Sequence, residues 1–220
     1  MIDKLHYISQ HAVDGSQLTA IQQALTAGCK WIQLRVKNQP PKVILDYALA
    51  AKTLCNQFGA KLIIDDYPDI ALQCGAHGVH LGLQDMPVAE ARRMLGKNMI
   101  IGGTANTFAH IQQRAAEEVD YIGCGPYRFT STKENLSPIL GLSGYLKLVA
   151  QMDAANIRIP VIAIGGILPE DVLPIMQTGI CGVALSGAIT FADHREQVVQ
   201  QIYQQLNDPS FSRLYKALNQ

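Results

Sequence analysis

The 220-residue chain carries 18 basic and 18 acidic side chains and is 48% hydrophobic, a balance that gives no reason to expect a nucleic-acid partner or an anionic membrane surface. Its five cysteines, Cys29, Cys55, Cys74, Cys124 and Cys181, stand singly, which argues against a disulfide scaffold or zinc knuckle and for reduced thiols. The opening Met-Ile-Asp-Lys-Leu-His lacks a signal-peptide pattern and no apolar run approaches a membrane span, so a soluble cytoplasmic protein with one domain over residues 1–220 is expected.

From the N-terminus, a short β-type run at Leu5–Ser9 precedes a helical segment that stops at Ala27-Gly28, with Gly28 as its cap. A second run, Trp31–Val36, alternates strictly: Ile32, Leu34 and Val36 share one face, and Gln33, Arg35 and Lys37 the other. Beyond Pro40-Pro41 the period changes to that of a helix, with Val43, Ile44, Tyr47, Ala48, Ala51, Leu54, Cys55 and Phe58 on one stripe. Further strands are predicted at Lys61–Asp65, Gly78–Gly82, Met99–Gly103 and Tyr121–Cys124. The stretch from Tyr127 to about Leu142 has no clear period and is long for a connection, a length often tied to function. Pro160–Ile164 and Gly182–Leu185 complete eight strands, and Val198, Val199, Ile202, Tyr203 and Leu206 mark a last helix.

Eight β/α units with short connections predict an α/β protein whose parallel strands close into a (β/α)8 TIM barrel. An open doubly wound sheet is the alternative. In a barrel the C-terminal strand ends carry the active site, and those ends are rich in polar groups. Strand two supplies Gln33, Arg35 and Lys37; strand three ends Asp65-Asp66, strand four Gly82 with Asp85 close behind, and strand five Gly102-Gly103-Thr104. Strand six runs into Thr130, Thr132 and Lys133, while strands seven and eight end in Gly165-Gly166 and Ser186-Gly187.

The last two glycine turns suit a phosphate, because backbone N–H groups can approach its oxygens. Neighbouring strand ends lie about 5 Å apart, so Asp66 and Asp85 can face one ligand, as Mg2+ held partly by substrate phosphates requires; either can instead cap the helix that follows. Arg35, Lys37 and Lys133 bring cations beside them. Such a mouth fits a Mg2+-bound diphosphate in one half and a monophosphate in the other. His77 and His80 lie across a turn and need not converge, and Cys124 is expected in the core or pocket wall.

In order and spacing, "QLRVK", Asp66, "GVHLGLQD", "YIGCGPYRFTSTK", "IGGI" and "GVALSGAI" resemble the thiamine phosphate synthase family over nearly the whole chain. The resemblance implies a transferase that joins hydroxymethylpyrimidine diphosphate to hydroxyethylthiazole phosphate with loss of diphosphate, in a dissociative, Mg2+-assisted reaction. It implies Gln33 on the aminopyrimidine, Arg35, Lys37 and Lys133 on the diphosphate, and Asp66 and Asp85 on Mg2+. Thr130, Thr132 and the amides near Gly166, Ser186 and Gly187 would hold the thiazole phosphate, and Thr104 keeps the hydroxyl of a usual serine. The chain departs from the family at Asp65, usually asparagine, at Asn106, often histidine, and at Gly187, commonly serine. A carboxylate at 65 beside a diphosphate is unfavourable unless it points away or pairs with a cation. A thiazole tautomerase-like isomerase on the same barrel, or a phosphate-ligand sensor without catalysis, are the alternatives; neither needs the charged set.

Overall fold

A computed structural model describes residues 1–13, 15–129 and 138–209. Its eight parallel strands close into a barrel in sequence order, β1 pairing with both β2 and β8. The strands are β1 (Leu5–Ile8), β2 (Trp31–Leu34), β3 (Lys61–Asp65), β4 (Gly78–Leu81), β5 (Ile100–Ala105), β6 (Tyr121–Cys124), β7 (Val161–Ile164) and β8 (Gly182–Leu185). Helices α1 (Gln17–Thr26), α2 (Pro41–Gln57), α3 (Pro68–Gln73), α4 (Val88–Leu95) and α5 (Phe108–Ala116) follow the first five strands. Then come α6 (Gly141–Ala154), α7 (Val172–Gln177), α8 (Gly187–Thr190) and α9 (Arg195–Leu206). The closed barrel is the predicted one; the open sheet is excluded.

Local chemistry explains the punctuation. Ser16 accepts the Thr19 N–H at the start of α1, and Gly28 follows its end at φ +106°, where a side chain would be strained. Pro41 opens α2, where its missing N–H is harmless. On α2 the predicted stripe is the face that packs, with Ile44, Ala48, Ala51 and Cys55 buried.

Two cores result. The larger lies between barrel and helices and takes Ile32, Leu34 and Val36 from the second strand and its continuation. The smaller fills the barrel itself with Ile8, Trp31, Ile63, Tyr121, Ile162 and Ala184. His6 joins it, stacked on Trp31 at 4.4 Å between centroids and edge-on to Tyr121 at 5.0 Å. Its Nε2–H donates to the Asp3 carbonyl at 2.9 Å, so the buried ring needs no charge, and burial lowers it to about 3.

Strand β5 runs to Ala105, two residues beyond the predicted end, because pairing of Thr104 with Gly123 and Ala105 with Cys124 outweighs glycine's poor strand propensity. Gly102 and Gly103 are therefore interior to the strand, and each makes room for a neighbour. A Cβ on Gly102 would collide with the Tyr121 ring; one on Gly103 would lie 2.7 Å from Arg114 Cδ and 2.8 Å from its Nε.

Candidate active site

At the ends of β2, β3 and β4 one charged cluster forms. Although β2 ends at Leu34, the alternation persists because the backbone beyond it is tied down. The Arg35 N–H donates to Ser9 Oγ at 3.0 Å, and Gln17 Nε2 donates to the Arg35 carbonyl at 3.0 Å. Gln33, Arg35 and Lys37 thus converge on the end of β3. Gln33 Nε2 donates to Asp65 Oδ1 at 2.7 Å, while Asp65 Oδ2 lies 3.6 Å from Arg35 Nε and 3.9 Å from Lys37 Nζ. Lys37 also donates to Asp66. The carboxylate that departs from the family pattern is paired with cations, which resolves the conflict raised by the sequence.

Asp66 sits at φ +68°, in the left-handed region that aspartate tolerates better than most residues, and its N–H donates to the His80 carbonyl at 2.9 Å. Burial, then the adjacent Asp65, pushes its carboxyl up to about 7, and the Asp85 carboxyl lies within hydrogen-bonding reach. Burial likewise raises Asp65 against the pull of Lys37 and Arg35. The Lys37 ammonium is raised: burial opposes its charge, but Asp66 and Asp65 hold it.

Asp85 does not cap α4, whose N-cap is Pro87. Its Oδ2 instead accepts the Gly82 N–H at 2.6 Å and closes the turn after β4. A Cβ on Gly82 would lie 2.7 Å from that oxygen, so a side chain there would push the Asp85 carboxylate from this turn. Among the described residues no three His, Cys, Asp or Glu side chains are grouped so as to hold a metal alone. Asp66 and Asp85 still form a pair of hard oxygen donors within hydrogen-bonding reach of each other. Such a pair fits Mg2+, which takes one or two carboxylates and completes its shell with phosphate and water.

Around the barrel, Thr104 Oγ1 lies 3.0 Å from His80 Nε2, and His80 Nδ1 lies 3.1 Å from the Tyr121 hydroxyl. His80 is buried at the mouth, whereas His77 Nδ1 accepts the Leu62 N–H at 2.9 Å; the two rings serve different places. Asn106, also buried, donates from Nδ2 to the Gly125 carbonyl at 2.5 Å. Arg114 reaches from α5 to the Thr104 carbonyl at 3.1 Å and the Gly82 carbonyl at 2.8 Å, with Glu117 at 2.7 Å as its counter-ion. One guanidinium therefore ties the end of β4 to the end of β5.

On the far side, Gly165 and Gly166 turn at φ +98° and +71° beneath the segment that leaves β6. Arg128 bonds the Gly166 carbonyl at 3.1 Å and clamps Asp171 through two contacts of 2.8 Å. Ser186 spends its hydroxyl on the Ile8 carbonyl at 2.7 Å. Gly187 opens α8, where a Cβ would lie 3.2 Å from Gln10 Nε2, a buried donor with no partner among the described residues. Thr130, Thr132 and Lys133 lie outside the described residues. Cys124 is wholly buried and its thiol is pushed up to about 12, so it belongs to the wall.

Sequence reasoning missed His80 as a mouth residue, and it missed Arg114, Arg128 and Asp171. The β4 alternation held the signal for His80: Val79 and Leu81 face the outer core, so the histidine between them points inward.

A family model described as "Thiamine monophosphate synthase" matches residues 5–189. A thiamine-phosphate synthase from Bacteroides fragilis is 52% identical over 185 residues, covering 84% of this chain and 91% of its own. Another, from Flavobacterium johnsoniae, is 50% identical over 206 residues, covering 94% and 97%. The solved structure of a thiamine phosphate pyrophosphorylase from Pyrococcus furiosus superposes with a TM-score of 0.80 at 28% identity, covering 92% of this chain and 95% of that one.

Proposed function

This chain belongs to the thiamine monophosphate synthase family, and from that premise we propose how its residues divide the work. The activity is thiamine-phosphate synthesis, and the enzyme is a transferase. Its substrates in this reading are hydroxymethylpyrimidine diphosphate and hydroxyethylthiazole phosphate, and its products thiamine phosphate and diphosphate. The observation that carries the reading is the convergence of Gln33, Arg35, Lys37, Asp66 and Asp85 on adjoining strand ends. A site that served only a monophosphate would have no use for it.

Arg35 and Lys37, joined by Lys133, hold the diphosphate and stabilise the negative charge that grows as its C–O bond breaks. Gln33 bonds the aminopyrimidine and keeps its methylene carbon aligned for capture by the thiazole nitrogen. Thr130, Thr132 and the amides about Gly166, Ser186 and Gly187 hold the thiazole phosphate, and Thr104, fixed by His80, lines the space between the halves. Asp66 and Asp85 would hold Mg2+, which supplies further positive charge to the leaving diphosphate. In this reading the reaction needs no protein nucleophile: diphosphate leaves first, and the thiazole nitrogen captures the pyrimidine cation. The reading takes residues 1–220 as one domain working in the cytoplasm; no described helix is long and apolar enough to cross a membrane.

The test is diphosphate release with both substrates present, with each omitted, and with a chelator. Release that needs both substrates and a divalent cation is expected. Isomerisation of a thiazole phosphate without diphosphate release would assign the site to the other chemistry.

A further inference from the structure

Asp65 is 8% exposed, and both of its oxygens face donors. Oδ1 takes the Gln33 Nε2–H at 2.7 Å; Oδ2 faces Arg35 and Lys37 at 3.6 and 3.9 Å. A carboxylate so placed accepts, so the Gln33 amide must turn its NH2 group toward β3. Gln33 Oε1 is thereby directed away from Asp65. It has no partner among the described residues, yet it is not a sealed, buried orphan.

Resting on the reading of Gln33 as the group that meets the pyrimidine, we propose that Asp65 is a positioning residue that sets the polarity of the Gln33 amide. The pocket thereby selects a heterocycle with an exocyclic amine beside a bare ring nitrogen over its oxo counterpart. The first offers a donor next to an acceptor, which matches Oε1 and the second Nε2–H. The oxo form exchanges the two. To meet it the amide must flip and press Oε1 against the Asp65 carboxylate, leaving two buried acceptors with no proton between them. A penalty of this kind amounts to about ten- to a hundredfold in discrimination. An asparagine at 65 can donate or accept, so both amides can turn together and the penalty disappears.

The experiment compares kcat/KM for hydroxymethylpyrimidine diphosphate and for its 4-oxo analogue in the wild-type chain, Asp65→Asn and Asp65→Ala. The intrinsic effect of the amine on ionisation cancels when the amino-to-oxo ratio is compared between proteins. The ratio is expected to fall about tenfold or more in both variants, while KM for the thiazole phosphate stays unchanged. Thermal unfolding identifies a variant that fails to fold, and the other then carries the comparison. A ratio that falls less than this, or a uniform loss on both pyrimidines, would mean that Asp65 supports the fold alone and would overturn the proposal. If the wild-type chain released no diphosphate from the amino substrate, the functional reading would fail and this inference with it.

Discussion

His6 offers a test of the barrel interior that is independent of catalysis. Burial holds its imidazole neutral, with a folded-state value of about 3 against 6.5 for the unfolded chain. Well above pH 6.5 both states are neutral and His6 has no effect on the pH dependence. As pH falls below that value the unfolded chain takes a proton that the folded barrel refuses, so stability is lost progressively until the folded value is reached. At 1.36 kcal/mol per unit, the loss between about pH 7.5 and about pH 5 is about 2 kcal/mol. For a domain of this size that is a fall of roughly 4–8 °C in Tm. Asp66, whose carboxyl is raised to about 7, works in the opposite sense, so the comparison must isolate His6. His6→Phe keeps an aromatic ring against Trp31 and removes the proton; losing the bond to Asp3 adds a pH-independent cost of about 1 kcal/mol. Urea unfolding of both proteins at the two pH values should show the wild type losing about 2 kcal/mol more than the variant. Equal pH dependence in the two would refute the idea that the barrel holds His6 uncharged.

Lys37→Ala should raise KM for the pyrimidine diphosphate and lower kcat, together by about ten- to a hundredfold for one charge-assisted hydrogen bond; steady-state kinetics with each substrate varied in turn will show it. Chelation should abolish turnover, and Asp85→Ala should demand far more Mg2+ or fail, so undiminished rates in EDTA would remove the metal from the reading. Gly187→Val should raise KM for the thiazole phosphate, because even its Cβ would press on Gln10 Nε2 at 3.2 Å, and an equal effect on both substrates would argue against separate halves. Gly103→Ala forces Arg114 from its carbonyls and should cost about 1–3 kcal/mol, read as a lowered Tm.

The barrel was legible in the sequence because its strands are short apolar runs bounded by turns, and because Gln33, Arg35 and Lys37 interrupt one such run at a period of two. The pairing of Asp65 with Arg35 and Lys37 was anticipated only as a condition, since adjoining strand ends do not say which way a side chain turns once the alternation of the strand gives out. Asp85 could be read as ligand or cap; its actual partner, the Gly82 N–H, is a turn contact with no periodic signature. Arg114 was invisible for a sharper reason. On a helix an arginine is ordinarily solvated, and only the vacancy at Gly103, eleven residues earlier, gives it somewhere else to go. Gly102 and Gly103 were read as part of the mouth, although their role is to leave space.

That space has an evolutionary corollary. Tyr121 fills the volume Gly102 vacates, and Arg114 the volume Gly103 vacates, so each glycine is half of a pair whose other half lies on a different element. A larger residue at either glycine fits this barrel without strain only after its partner has shrunk, and the reverse order passes through an overpacked intermediate. Drift along β5 is therefore expected to be ordered, with position 121 changing before 102 and position 114 before 103. Among related barrels the two pairs should covary, and should do so even where every residue that meets the substrate stays the same.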